Sequence, residues 1–365
     1  MVETPGAALT FGIEEEFLLL DAQSGIPANR AAEVVAAAAV LNQQPEREFF
    51  SSQLETATPI CSSANEAEQS LTEFRSAVAR AAARCGVVLA STGLPPVGGD
   101  TAGSVTPNGR YYRILSEMRG AADHQYVTGT HVHVAVPSRN AGIQVLAHLA
   151  RWAPALVALT ANSPLWCGED TGFMSWRHVQ SLTWPLSGFP TGFRDDTDYD
   201  RALAGLIGTG VLIDAGHVTW VARLSDKFPT VELRIADAQL EAAQSVALAV
   251  ILRALVARAL RDIDRGEPVP RYAPGLVNGA IWLAARDGLE QSLIDPLTAE
   301  ALPAYELVDR MLETITTELQ HNGDAERVER YVRRLREGEH PAQRQRRAFE
   351  ADGIDGLLAL YRQTV

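Results

Sequence analysis

The sequence predicts an α+β fold built around one large antiparallel or mixed sheet. Three observations carry that expectation. Short apolar runs alternate with helical runs in the first part of the chain, and from about residue 276 the pattern becomes helical and increasingly charged. Four of the short runs also place a polar pair on one strand face and mostly apolar residues on the other. With 365 residues and 46% hydrophobic content, the chain can bury a large core.

The elements follow in order. LTFGIEEEFLLLD (9–21) is apolar around a short polar centre and lacks a helical period, so it reads as a strand. NRAAEVVAAAAVL (29–41) is Ala-rich and helical. REFFSSQLETATPI (47–60) reads as a second strand, ended by Pro59. Ser63 and Glu66 have capping-box spacing and open a helix that runs to about Cys85. GVVLAST (86–92) is a short buried strand leading into the loop GLPPVGGD. GTHVHVAV (129–136) is a strand closed by Pro137, and 141–162 reads as one mostly apolar helix. Ser163 to Asp200 is aperiodic and dense in Trp, Gly, Pro, Phe and Arg; loops of that length in compact domains are usually functional. HVTWVARLS (217–225) and TVELRIADAQ (230–239) read as two strands joined by a turn containing DKFP, followed by a helix over about 241–263.

Charge and cysteine content narrow the function classes. Thirty-two Lys plus Arg against 45 Asp plus Glu give a net charge of -13, which argues against nucleic acid as a partner. A local arginine cluster or a bound cation can still serve a small anionic substrate. Cys61, Cys85 and Cys167 are scattered and odd in number, so no disulfide framework or CxxC metal knuckle is indicated. The start MVETPGAALTFG has no signal-peptide pattern, and no uncharged apolar stretch reaches 18 residues. The expectation is a cytoplasmic protein with no membrane partner.

The polar pairs carry the chemistry. Side chains at i and i+2 share a strand face, so Glu14 and Glu16 point one way while Glu15 joins Ile13 and Phe17 on the other. The same rule groups Gln53 with Glu55, His131 with His133, and Glu232 with Arg234. If the four strands share a sheet, one face is core and the other is a surface of carboxylates and imidazoles. Clustered carboxylates repel and take up protons unless cations neutralise them, and a divalent metal is the simplest answer. Oxygen-rich sets with a single histidine suit Mg²⁺ or Mn²⁺, which commonly hold nucleotide phosphates. Each pair also has a plainer reading: a solvated glutamate run, two ordinary strand histidines, a surface ion pair. Their joint occurrence on four apolar-backed strands tells against it.

In order and spacing, GIEEEFLLLD, SSQLETATP, GTHVHVAV, LTANSPLWCGEDTGFMSWR and FPTVELRIADAQ resemble the glutamate–cysteine ligase type 2 family, also called carboxylate–amine ligases. The likeness spans about residues 9–262, and PAQRQRRAFEADG is similar to the family's closing segment. The resemblance implies the fold shared by glutamine synthetases and guanidino kinases, with an antiparallel sheet forming a cupped active site and helices on the other face. It implies that ATP phosphorylates a carboxylate and that an amine then displaces the phosphate to give an amide. Glu14, Glu16, Glu55, His133 and Glu232 then look like the metal ligands, and Arg234 like the arginine that contacts the transferring phosphoryl group.

Phosphoryl transfer needs charge neutralisation and alignment more than covalent protein chemistry, so the lack of a GxxxxGK[ST] loop is no objection. Glu232 and Arg234 are the expected catalytic pair, with Arg234 and Arg223 on the nucleotide. Trp176, Arg177, Trp184, Trp220 and Arg223 are the expected clamp for an amino-acid carboxylate; Trp176 and Trp184 alternatively pack the loop onto the sheet. Arg113 in RYYRI reads as a solvated helical arginine. The substrates would be small amino acids and amines, glutamate and cysteine among them, and the expected assembly is a homodimer. One catalytic domain is expected over 1–365, with the sheet in 9–262 and the helical segment 263–365 packed on it. Two other readings use the same residues: a zinc hydrolase built on His131 and His133, and a guanidino-type kinase.

Overall fold

The computed structural model describes residues 8–38, 44–190, 192–273 and 275–365. Its centre is β1 (Phe11–Asp21), the longest strand of a seven-stranded antiparallel sheet. The first helix, α1 (Ala31–Ala37), lies within the predicted 29–41; residues 39–41 of that stretch fall outside the described residues. The predicted strand 47–60 is two pieces, β2 (Glu46–Arg47) and β3 (Gln53–Ala57). Phe49 and Phe50 leave the sheet between them to pack on Tyr111 and Tyr126, and the Gln53 side chain accepts the Phe50 N–H at 3.0 Å to close the turn.

The helix α2 (Ala64–Arg84) begins in the expected capping box, with Ser63 and Glu66 satisfying each other's backbone N–H groups. It leads to β4 (Val87–Ala90) and α3 (Gly109–Met118). After β5 (Gly129–Ala135), the single helix expected over 141–162 is instead α4 (Arg139–Leu149) and α5 (Ala153–Thr160), bent by 71°. Pro154 explains the break: it has no N–H to donate and is tolerated only in a first helical turn.

The aperiodic stretch holds a small hairpin, β6 (Leu165–Trp166) and β7 (Glu169–Asp170), and two helices, α6 (Trp176–Ser181) and α7 (Asp196–Gly208). The strand expected over 217–225 shrinks to β8 (Ala222–Leu224), because Trp220 turns away to pack on Phe193 and Tyr199. Then come β9 (Thr230–Asp237) and α8 (Ala242–Asp264). The last part is helical as expected, with α9 (Leu276–Asp287), α10 (Ala304–Thr314), α11 (Thr316–His321), α12 (Ala325–Arg336) and α13 (Pro341–Thr364). It also contains a hairpin that the sequence did not suggest, β10 (Ser292–Asp295) and β11 (Glu300–Pro303), whose turn is held by Asp295 accepting the Leu297 N–H at 3.0 Å.

The strand order is β2-β3-β1-β5-β9-β8, and β4 pairs with the second half of β1. Register aligns the polar pairs: Glu16 lies opposite Glu55, Glu14 opposite His131, and His133 opposite Glu232. On the reverse face Ile13, Val132, Val134, Val231, Leu233 and Ile235 join the core formed with α4, α5 and α8. At 23 residues α8 is long and apolar enough by composition to cross a bilayer, but it lies mostly buried, and its Arg253 pairs with Asp324 beneath α12. Further along β1 the site face changes character: Leu18 and Leu20 pack with Phe50, Tyr126 and α13. The acidic patch therefore ends against an apolar wall.

Candidate active site

A bowl of about 560 Å³ opens on the polar face of the sheet. Glu14 is at its centre, with one carboxylate oxygen 3.3 Å from His133 Nε2 and the other 3.3 Å from His131 Nδ1. Burial alone would raise its carboxyl, but the two imidazoles outweigh it and hold it well below the usual carboxylate range. Arg223 grips Glu232 with two hydrogen bonds (2.8 and 3.0 Å) and Arg234 adds a third (2.7 Å). Burial would raise the Glu232 carboxyl; the two arginines bring it down to about 2. Glu16 accepts the Gly129 N–H at 2.7 Å. His131 lies fully buried against Arg234 at 3.1 Å, and burial and that guanidinium hold the imidazole below its ordinary value.

The other side of the bowl has the opposite electrostatics. Glu55 is pushed well above the usual range by burial and by Glu48, Glu16 and Glu14. Glu48 is pushed up to about 7 by burial and Glu16, although the Tyr111 hydroxyl donates to it at 3.0 Å. Arg234 pulls both carboxyls down, but burial and the neighbouring carboxylates outweigh it.

The residues fit a hard divalent cation. One donor atom each from Glu14, His133 and Glu232 lies within 4.8 Å of the others. His133 Nδ1 is engaged by Thr230 Oγ1 at 3.0 Å, and its buried Nε2 faces the Glu14 carboxylate at 3.3 Å. Such a second-sphere contact fixes the ring and aims Nε2 at the carboxylates, as at metal-bound histidines. Oxygen donors with one imidazole suit Mg²⁺ or Mn²⁺.

A narrower pocket of about 180 Å³ shares Glu16, Glu48, Arg110, Gly216 and Arg234 with the bowl. Arg177, from the start of α6, forms part of its wall. Its guanidinium is buried, which lowers its pKa, and it donates to the Arg234 carbonyl at 3.2 Å. Asp237 stands behind it at 3.8 Å, itself held by Ser163, Ser175 and the Asn162 N–H at 2.6–2.8 Å. Gly129 is required here: a Cβ on it would fall 2.4 Å from Arg177 Nη2. Trp184 lines the same pocket and donates to Gln125 Oε1 at 2.7 Å.

The structure therefore brings together Glu14, Glu16, Glu55, His133, Glu232, Arg234 and Arg223 in one bowl, with Arg177 in the adjoining pocket. Two predicted residues stand apart. Trp220 lies before β8 and is buried in the aromatic cluster with Phe193 and Tyr199, while its neighbours Thr219 and Val221 line the pocket. Trp176 packs edge-on against Phe173 with ring centroids 5.1 Å apart, fastening the loop rather than facing the pocket. Arg113 is exposed on α3; its neighbours Arg110 and Tyr111 line the site instead. Sequence reasoning passes over Glu48, Tyr111 and the Arg110–Asp214 pair (2.9 Å) at the mouth. They lie on loops and on a helix far away in sequence, and no period marks them.

The family model for glutamate–cysteine ligase family 2 matches residues 10–359. The chain belongs to that family. A relative from Salinispora arenicola named "Putative glutamate–cysteine ligase 2" is 39% identical over 350 residues, covering 96% of this chain and 92% of the relative. One of the same name from Rhodopirellula baltica is 34% identical over 351 residues, covering 94% of each. Among solved structures, a bifunctional glutathione synthetase from Pasteurella multocida superposes with a TM-score of 0.72 at 16% identity; the match takes in 98% of this chain and 52% of that longer protein. A glutamate–cysteine ligase from Francisella tularensis, solved with AMP, gives 0.71 at 13% identity over 98% of this chain and 88% of that one. These likenesses establish the shared fold of a family 2 chain.

Proposed function

We propose that this family 2 protein is an ATP-dependent carboxylate–amine ligase that joins a glutamate-like amino-acid carboxylate to an amine such as cysteine. The observation that carries the reading is the common wall: the carboxylate bowl and the Arg177 pocket share Glu16, Glu48 and Arg234. A triphosphate lying over the bowl would put its terminal phosphate beside an acid held in the pocket. The acid's oxygen attacks the γ-phosphorus and ADP leaves; the amine nitrogen then attacks the acyl carbon, phosphate leaves, and the amine loses a proton. Arg234 has the position to meet charge on the transferring group, and Arg177, with Trp184 beside it, to hold the acid's remote end. Glu14, Glu16, Glu55, His133 and Glu232 are the residues that would hold Mg²⁺ or Mn²⁺, which when bound neutralises the phosphates. Arg223 is taken up by Glu232, so its part is to orient that carboxylate.

We also infer that the sheet belongs with the cupped sheets of glutamine synthetases and guanidino kinases, on its antiparallel order and its one acidic face. The family match lends no support to the hydrolase or the kinase reading. His131 Nδ1 is also engaged by Arg234 and Glu14, and the donors that lie together are Glu14, His133 and Glu232.

The test is ADP release from ATP and Mg²⁺, first with L-glutamate and cysteine and then with pools of amino acids and amines, products read by mass spectrometry. ADP formed in step with a new amide mass is expected. ADP accompanied by a phosphorylated guanidino compound, or no ATP turnover with any pool, would overturn the reading.

A further inference from the structure

Of the 32 Lys and Arg residues, one is a lysine, Lys227. It lies in the turn between β8 and β9, which the Ser225 N–H closes onto the Thr230 carbonyl at 3.0 Å while the Phe228 N–H reaches Ser225 Oγ at 3.3 Å. Lys227 and Phe228 line the carboxylate bowl from its rim. The three arginines of that bowl are already committed: Arg223 to Glu232, Arg234 to Glu232 and His131, Arg110 to Asp214. Among the described residues Lys227 has no ion pair and no hydrogen bond, although Glu14, Glu16, Glu48, Glu55 and Glu232 wall the same space.

The chemistry of the two cations differs. A guanidinium is a rigid fork suited to locking a carboxylate in place, as the committed arginines do. An ammonium is a compact charge on a flexible four-carbon stem, suited to a ligand whose charge is spread along a chain of oxygens. The turn is also tied to a candidate metal ligand: Thr230 holds His133 Nδ1, and the Phe228 ring meets the His133 imidazole edge-on with centroids 6.0 Å apart. A ligand gripped at Lys227 is thereby kept in register with His133.

We propose that Lys227 is a polyphosphate contact, its ammonium meeting the phosphate chain of the nucleotide as that chain lies across the carboxylate bowl. The proposal rests on the ligase reading and adds to it a substrate-binding residue outside the sheet. It also makes the β8–β9 turn part of the nucleotide site.

Because Lys227 is the only side-chain amine, an acylating reagent such as N-hydroxysuccinimidyl acetate has one internal target. The experiment measures its acetylation by peptide mass spectrometry with and without the non-hydrolysable ATP analogue AMP-PNP and Mg²⁺, in parallel with the kinetics of Lys227→Ala and Lys227→Arg. The analogue should slow acetylation about tenfold. Lys227→Ala should raise KM for ATP about tenfold, or about 1.4 kcal/mol, with kcat and the KM of acid and amine changed less than about twofold. Lys227→Arg should recover most of the loss, and melting temperatures should not move, since the side chain is exposed. If calorimetry shows the analogue binding wild type and Lys227→Ala equally, with no protection of the amine, the proposal is wrong and the ligase reading stands. If wild type binds no analogue and turns over no ATP with any pool, the ligase reading fails and this proposal with it.

Discussion

Glu15 and Glu16 are adjacent in β1, and the two sides of the strand treat the same carboxylate in opposite ways. On the helix side Glu15 is fully buried and fully satisfied. Arg75 of α2 donates to both its oxygens at 2.7 and 2.8 Å, and Ser245 of α8 adds another hydrogen bond. Arg75 is saturated in turn by the Gln239 and Leu240 carbonyls at 2.9 and 2.8 Å and lies over the Phe17 ring. On the open side Glu14, Glu16, Glu48 and Glu55 crowd together, and burial and their neighbours' charge push Glu48 and Glu55 up, more than Arg234 offsets. A buried charge that has found every partner is architecture. A cluster left short of cations is held for something that arrives.

The largest effect expected from breaking this contrast is on turnover. Glu16→Gln and Glu55→Gln should each lower the rate of metal-dependent ADP formation by at least about a thousandfold, on the order of 4 kcal/mol. The metal-free melting temperature should hold or rise, because a repelling carboxylate has gone. Mg²⁺ should stabilise wild type in a thermal melt and leave Glu55→Gln unmoved; full activity in both variants would remove the metal site.

On the helix side the same kind of change should act on stability. Arg75→Ala leaves Glu15 buried without a counter-charge, and denaturant titration should show a loss of about 3–5 kcal/mol. Replacing the pair together, Glu15→Leu with Arg75→Met, should recover most of it. A single variant within about 1 kcal/mol of wild type would mean that the two faces are less different than their contacts indicate.

The closed layers also hold a titrating group neutral. His340 is buried, donates from Nε2 to the Ala158 carbonyl at 2.9 Å, and is pushed by burial from 6.5 to about 4. A depressed histidine pKa means that the unfolded chain takes up the proton more readily. Its contribution is therefore complete above about pH 6.5 and is lost as pH falls from there toward 4, on the order of 3 kcal/mol. His340→Gln should flatten the stability profile over that window, with His178, also held near 4, supplying part of the remaining slope. An unchanged profile would show that His340 takes up its proton as readily in the folded protein as in the unfolded chain.

The smallest effect sharpens the line between the bowl and its neighbouring pocket. Gly129→Ala puts a methyl group against Arg177 and 3.0 Å from the Ala236 carbonyl, so it should displace the guanidinium. The KM for the acid should rise several-fold while that for ATP stays within about twofold, as steady-state kinetics with each substrate varied will show. An equal rise in both would mean that Gly129 serves Glu16 more than Arg177.

Much of this was legible without coordinates because a strand repeats every two residues. Alternation alone separates Glu15 from Glu14 and Glu16, groups His131 with His133 and Glu232 with Arg234, and sets an apolar layer behind them. It implies that Glu15 needs a partner of its own. What alternation cannot supply is which residues meet across the sheet and over its edge. Strand order and register, decided by packing between segments 117 and 99 residues apart, put Glu14 beside His131 and His133 beside Glu232. Arg75 answers Glu15 from a helix 60 positions away. Glu48 and Tyr111 enter from a loop and a helix with no period pointing at the site, and Trp220 is lost from it because β8 is shorter than its sequence reads. The sequence by itself determined which side of each strand is charged, since that is a local property of backbone geometry. Only the tertiary structure decided which charges find partners and which are left open, because a charge's neighbours belong to the fold and not to the chain.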